Sequence, residues 1–385
     1  MKVLLTGGGT GGHITPLLAV AQKLKDLDPT IKIIYVGERG SKFASMTAGQ
    51  NAFDSQYKVF AGKFRRYNGE SWLKRLLDVK TNLRNFRDVF LVAIGIIESW
   101  FLLRKLKPDV ILLKGGFVGV PIGLAARGSV PIITHDSDTV PGLANRLVSR
   151  WAVYHATGMP PEYYQYPKDK MKYTGVIVSD RYELVTPELM KSYRQDLQLP
   201  VDAQVLMITG GSNGAQEINK ALVRFVPQLL TAMPKLQIIH QVGNRNLAVY
   251  GDFKDERLSV HGLLEYKDLH KYSGAADVII TRAGASMIAE FGIQGKACII
   301  VPNPFLTGGH QLKNAQYLVD KKAAIVVDEK AVNANPEILK RAVEDLLKNA
   351  NERQRLGQHL RDLTVVGAAD SLAKLLISVG KRAGE

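Results

Sequence analysis

The stretch VLLTGGGTGGHITP, Val3 to Pro16, reads as a short apolar strand that runs into a glycine loop and then a helix start. A second stretch, VLMITGGSNGA from Val205 to Ala215, repeats that plan in the second half of the chain. Outward from each, short apolar runs alternate with longer amphipathic segments, which is the pattern of parallel α/β architecture. The first series of expected strands is Lys2–Thr6, Ile31–Val36, Asp109–Leu113 and Pro131–Thr134. The second is Val205–Thr209, Leu236–His240, Val278–Thr281, Ala297–Val301 and Ala324–Val327. The predicted fold class is α/β: two Rossmann-like open parallel-sheet domains facing a cleft, each with its first glycine loop at the carboxyl ends of its strands.

The segment Met159–Lys170, rich in Pro, Tyr and Lys, reads as a linker or hinge, which gives domains over 1–170 and 171–365. The last amphipathic stretch, within about 366–385, is expected to pack back on the first domain. A length of 385 residues with 46% hydrophobic content suits two such domains with sizeable cores. The single cysteine, Cys298, lies in an apolar run and reads as a packed thiol in a reducing compartment. The opening residues lack the charged head and small-residue cleavage site of a signal peptide. The longest apolar run, Val89 to Leu103, has 15 residues and contains Glu98. That is short of the ~20 needed to span a bilayer, so an integral membrane protein is not expected.

The formal charge is +15 and unevenly placed. Lys58 to Lys107 holds twelve basic and four acidic residues, a local excess of +8. Clustered beside apolar residues, such charge points to an anionic partner, either nucleic acid or an acidic lipid surface. No nucleic-acid recognition motif accompanies it. Lys63, Arg65, Arg66, Trp72, Leu73, Arg75 and Leu76 are the expected membrane-docking residues, because basic and apolar side chains alternate there.

Four places carry candidate chemistry. In Gly7 to His13 the glycines let backbone approach a ligand, and the N–H groups of Thr10, Gly11 and Gly12 open a helix that favours anions. The same residues satisfy a GxGxxG pattern, with Glu38 closing the second strand, so a dinucleotide enzyme is a rival reading. The HITP run after the loop, with an imidazole and a proline in the first turn, weakens that rival. The second loop, Gly210 to Ala215, offers Ser212 and backbone N–H groups to phosphate but lacks the Lys-Ser/Thr ending of a nucleotide-hydrolysing loop. After Val278–Thr281, small residues open a helix carrying Ala285, Ser286, Met287 and, further in, Glu290, whose apolar neighbours require a partner such as a ribose diol. In His310 to Ala315, Gln311 and Asn314 share one helical face and can hold sugar hydroxyls.

Seven motifs in order, GGTGGH (Gly8–His13), GKFRRY (Gly62–Tyr67), VPGLANR (Val140–Arg146), GGSNGA (Gly210–Ala215), HQVG (His240–Gly243), RAGASMIAE (Arg282–Glu290) and HQLKNA (His310–Ala315), span most of the chain. Together they resemble the MurG family of bacterial peptidoglycan glycosyltransferases, of the GT-B fold. The resemblance implies transfer of N-acetylglucosamine from UDP-N-acetylglucosamine to undecaprenyl-diphospho-N-acetylmuramoyl-pentapeptide, with inversion, for cell-wall biogenesis. It implies an acceptor-binding, membrane-associating first domain and a donor-binding second domain, acting peripherally at the cytoplasmic face of the cell membrane. By position it gives Ser212, Ala285–Met287, Glu290 (ribose), the Leu264 backbone (uracil edge), and Gln311 with Asn314 (sugar) to the donor. His13 falls where the family has a cleft histidine. Two departures touch the acceptor side. His135-Asp136-Ser137-Asp138 stands where members write HEQN, and Ser179 stands where members have an arginine.

Such a transfer needs an acceptor hydroxyl deprotonated and the leaving diphosphate stabilised. His13 is the expected base, since a helix N-terminus disfavours imidazolium. Asp138 is the next candidate, with Asp136 behind it. No Asp-X-Asp pair stands in a metal setting, so neither an obligatory metal nor a cofactor is expected. Three classes stay open: the lipid-acceptor transferase, another UDP-sugar enzyme such as a 2-epimerase, and a noncatalytic nucleotide-sugar binder.

Overall fold

A computed structural model of the chain describes residues 1–9, 11–41, 52–65, 77–211, 214–265 and 267–384, in two compact units. The first unit comprises Met1–Ser179 with Val366–Glu385, and the second Asp180–Val365.

The first unit is built on a seven-stranded sheet in the order β3-β2-β1-β4-β5-β6-β7. Its strands are β1 (Lys2–Thr6), β2 (Lys32–Glu38), β3 (Ser55–Val59), β4 (Val110–Leu113), β5 (Ile132–Asp136), β6 (Ala152–Thr157) and β7 (Met171–Tyr173). All pair in parallel, with Leu4 opposite Ile34 on one side and Ile111 on the other. The central strands β1 and β4 are buried from Val3 to Thr6 and from Val110 to Leu113 because helices cover both faces. On one face the helix Gly11–Leu27 lays Leu17, Val20 and Leu24 against Leu372, Ala373 and Leu376 of the final helix, Ala368–Gly384. Each fully buried aliphatic side chain of this kind contributes about 1.5–3 kcal/mol.

The second unit repeats the plan with six strands in the order β10-β9-β8-β11-β12-β13. These are β8 (Gln204–Thr209), β9 (Leu236–Gln241), β10 (Leu258–His261), β11 (Val278–Thr281), β12 (Ala297–Ile300) and β13 (Ile325–Val326). The helix Gln216–Ala232 buries Leu222, Phe225, Val226 and Leu229 against this sheet. Cys298 is buried in β12, and burial pushes its thiol up to about 12, the behaviour of a packing residue.

Two expectations change. The boundary lies after Ser179 rather than Lys170, because β7 pairs with β6 and extends the first sheet. Met159–Lys170 is not a linker. The Tyr164 hydroxyl donates to the Asp138 carbonyl at 2.8 Å, and Tyr166 stacks on His155 at 3.8 Å, tying the segment to β5 and β6. The strands β3, β6, β7 and β10, absent from the sequence reading, lie at or next to sheet edges. There polar residues interrupt the apolar run that marks an inner strand.

Candidate functional site

In each sheet the strand order reverses once, between β1 and β4 and between β8 and β11. At such a reversal the loops leaving the two central strands diverge to opposite faces and leave a crevice at their carboxyl ends.

In the first unit the crevice lies between the Gly7–Gly9 loop after β1 and Lys114-Gly115-Gly116 after β4. The two loops meet backbone to backbone. A Cβ on Gly116, whose φ is +76°, would run into the Gly8 carbonyl oxygen. His13 sits in the first turn of its helix, and a Cβ on Gly115 would stand 3.6 Å from His13 Cε1. Lys114 is 2% exposed, and its Nζ donates to Ser137 Oγ at 2.9 Å. Burial pulls this lysine down to about 8, against the opposing influence of Asp138 and Asp136. Asp136 is fully engaged: Oδ1 accepts from the Gly142 N–H and from Asn145 Nδ2, each at 2.9 Å, and Oδ2 from the Tyr166 hydroxyl at 2.8 Å. Gly142 and Asn145 thereby fasten the VPGLANR loop to the end of β5. Burial raises the Asp136 pKa, and burial with the nearby lysine holds His135 neutral.

In the second unit the Gly210–Gly211 loop follows β8. Gln241, at the end of β9, donates through Nε2 to the Gly211 carbonyl at 3.0 Å and accepts the Leu264 N–H on Oε1 at 3.3 Å. One buried amide thus fixes the glycine loop and the Leu264 backbone relative to each other. A Cβ on Gly211 would stand 3.6 Å from Met287 Sδ, so the first turn of the helix Ala285–Ile293 adjoins the same loop. That helix start is held from behind. Asn314 Nδ2 donates to the Ala283 carbonyl at 2.9 Å, and Arg282 pairs with buried Glu329 while donating to the Val301 carbonyl at 3.1 Å. Gln311 accepts the Asn303 N–H on Oε1 at 2.9 Å, which among the described residues leaves its Nε2 hydrogens for a ligand. Glu290 is 6% exposed; burial pushes it up to about 8, with a hydrogen bond from Tyr182 pulling the other way. His240 is buried between Asn219 Oδ1 at 3.0 Å and the Tyr250 hydroxyl at 2.8 Å and is held neutral, its pKa pulled down to about 3 by burial. The HQVG motif therefore braces the site: His240 works behind it and Gln241 at its edge.

Residues 3–156 match the glycosyltransferase family 28 N-terminal domain and residues 205–369 the glycosyltransferase family 28 C-terminal domain. The UDP-N-acetylglucosamine–N-acetylmuramyl-(pentapeptide) pyrophosphoryl-undecaprenol N-acetylglucosamine transferase of Natranaerobius thermophilus is 30% identical over 400 residues, covering 98% of this chain and 100% of that one. The protein of the same name from Alkaliphilus oremlandii is 31% identical over 91% of each chain. The chain belongs to the MurG family. The crystal structure of Acinetobacter baumannii MurG superposes with a TM-score of 0.70 at 24% identity, covering 98% of this chain and 99% of that one. UDP-GlcNAc 2-epimerase from Neisseria meningitidis shares the fold at 14% identity and a TM-score of 0.66.

Of the residues that the MurG resemblance gives to the donor, Leu264, Ala285, Met287, Gln311 and Asn314 belong to one connected framework, and Glu290 lies on its central helix. Asn314 is 0% exposed and works behind the loop, not at its surface. Thr10, Ser212, Arg66, Trp72, Leu73, Arg75 and Leu76 lie outside the described residues. The Arg65 guanidinium pairs with buried Asp88 at 2.8 Å, and Asn85 holds its N–H, so this side chain is tied to the unit. Lys63 stays exposed. Among the described residues an apolar surface lies on the helix Val79–Leu106, where Leu83, Phe86, Phe90, Ile94, Ile97 and Phe101 are exposed at intervals of three or four. Sequence reading passed over this stripe because an amphipathic helix shows which residues share a face and not whether that face is covered. Asn145, Gln241 and Glu329 were missed as well. Only sheet adjacency brings them to the two crevices.

Proposed function

We propose that this enzyme transfers N-acetylglucosamine from UDP-N-acetylglucosamine to a lipid-linked N-acetylmuramoyl-pentapeptide diphosphate, converting lipid I to lipid II in peptidoglycan synthesis. The observation that carries the reading is the end-to-end relation to transferases whose names state this reaction. The framework around Gly211, Leu264, Met287 and Gln311 suits the donor: backbone for a uracil edge, a helix start for a diphosphate, and free amide hydrogens for sugar hydroxyls. Glu290 is given the ribose.

In this mechanism His13 takes the proton from the acceptor hydroxyl. The oxygen then bonds to the anomeric carbon from the face opposite the diphosphate, which departs as UDP with the bonding pair. The charge that develops on UDP falls on backbone N–H groups already aimed, with no reorganisation cost at that moment. Asp136 makes a poor base because both its oxygens already accept hydrogen bonds. The spelling Asp136-Ser137-Asp138 is an Asp-X-Asp, but the cation on Ser137 is Lys114.

Among the described residues no helix is long and apolar enough to cross a membrane. The helix Val79–Leu106 has 28 residues, about 42 Å at 1.5 Å per residue. With its exposed apolar stripe and with Lys80, Arg84, Arg87, Arg104 and Lys105 alongside, it suits lying in an anionic bilayer surface. On this proposal the enzyme works peripherally at the cytoplasmic face, where its lipid acceptor would be anchored.

The test is incubation with labelled UDP-N-acetylglucosamine and a short-chain lipid I analogue. Label in the lipid product is expected. Conversion of the donor to its 2-epimer without acceptor, or tight donor binding with no turnover, would overturn the reading in favour of an epimerase or a binding protein.

A further inference from the structure

We propose that Lys114 is the residue that receives the diphosphate of the acceptor in the first unit. The inference rests on the lipid-diphosphate reading above and names the residue that would take the charge.

Lys114 follows β4 directly, its backbone N–H bonded to the Thr6 carbonyl at 2.9 Å, so it stands at the strand-order reversal beside the Gly7–Gly9 loop. An ammonium has three hydrogens to donate. At 2% exposure this one has a single side-chain partner among the described residues, the neutral hydroxyl of Ser137, and it forms no ion pair among them. A buried cation satisfied by one hydroxyl is costly and calls for an anionic oxygen. Asp136 does not supply it, since both of its oxygens are taken by Gly142, Asn145 and Tyr166. A second feature points to the same ligand class. Asn145 Oδ1 is buried without a hydrogen-bond partner among the described residues, and its amide nitrogen lies 3.8 Å from a Cβ placed on Gly115. A ligand that brings oxygen charge to Lys114 and a hydroxyl to Asn145 is a sugar joined to phosphate. A neutral sugar would satisfy Asn145 but bring no anionic oxygen to the ammonium, which Asp138 and Asp136 favour only from nearby. The carboxylate of Asp138 sits close enough to influence Lys114, so the diphosphate must approach on the lysine side of that loop.

The experiment uses the full chain and two acceptors with the same muramoyl-pentapeptide and alkyl tail, one joined through a diphosphate and the other through a neutral ether. Wild type should favour the diphosphate acceptor in kcat/KM by about 10- to 100-fold, the range expected for hydrogen bonds between charged groups. Lys114→Met should reduce that preference to within about threefold, leaving the KM for UDP-N-acetylglucosamine close to wild type. Lys114→Gln, which can still bond Ser137, should lose the preference equally, and Lys114→Arg should keep part of it. Either neutral variant suffices if the other fails to fold. A preference that survives in both overturns the proposal. So does its loss in Arg146→Met with Lys114 intact, which would move the charge to the neighbouring exposed arginine. If wild type transfers sugar to neither acceptor, the transferase reading fails first and this assignment goes with it.

Discussion

The two units use one topology to build crevices of different chemical character. At the β1/β4 reversal the side chains are charged and titratable: His13, Lys114, Asp136 and Asp138. At the β8/β11 reversal the described residues are amides, backbone groups and the Glu290 carboxyl, and the ion pair of Arg282 with Glu329 stands behind the loop. The proposed mechanism accounts for the difference. A crevice that activates a hydroxyl beside a charged group needs residues able to hold or move a proton. One that grips a nucleotide needs donors fixed in direction, and amides locked by hydrogen bonds provide them.

The largest test of this division is His13→Ala. If the first crevice performs the proton transfer, turnover should fall by about 10²–10⁴-fold with the UDP dissociation constant unchanged. Survival within a few-fold would move the base to Asp138 and blur the contrast.

Glu290→Ala addresses the second crevice and should weaken UDP binding by about 1–3 kcal/mol by calorimetry. The pH dependence sharpens it. Burial raises Glu290 to about 8, so the free protein holds the carboxyl neutral below that pH. Ribose hydroxyls donate to the carboxylate, so UDP affinity should rise as pH rises towards 8 and level off above it. Glu290→Gln should flatten the curve. In the free protein the sign is reversed: the raised pKa contributes stability in acid that is lost as pH climbs through 8. Glu290→Gln should therefore gain relative thermal stability at pH 9.

A smaller effect separates surface from crevice. Replacing Phe86, Phe90, Ile97 and Phe101 together by serine should lower sedimentation with anionic vesicles by about tenfold or more, since each buried apolar side chain is worth at least ~1.5 kcal/mol. Kinetics with a detergent-soluble acceptor should not change. Equal sedimentation of the two proteins would leave the stripe without a membrane role.

The smallest expected change is at Asp138→Asn. If Asp138 only shares the loop with Lys114, activity should stay within a few-fold and acceptor KM should drop slightly as a negative charge leaves. A collapse in turnover at unchanged donor affinity would make Asp138 the base in place of His13.

Much of this was legible in the sequence. The glycine loops at Gly7 and Gly210 announced themselves because a strand-loop-helix start is written in contiguous residues. The inner strands did so because strands buried on both faces leave uninterrupted apolar runs. Glu290, Gln311 and Asn314 stood out by helical spacing and motif. The edge strands β3, β7 and β10 did not, since half-solvated strands are spelled with polar residues like those of loops.

The sequence by itself determined two parallel α/β units, their glycine loops and the family, because these depend on local periodicity and ordered motifs. Only the tertiary structure decided which side chains share a crevice. Lys114 meets Ser137 because β4 and β5 are neighbours, and Gln241 joins Gly211 to Leu264 because β8 and β9 are. It also decided that the apolar stripe of the helix Val79–Leu106 stays uncovered while Arg65 turns inward to Asp88. Pairing across a sheet and coverage of a helix face are properties of neighbours distant in the chain, and no local pattern of residues encodes them.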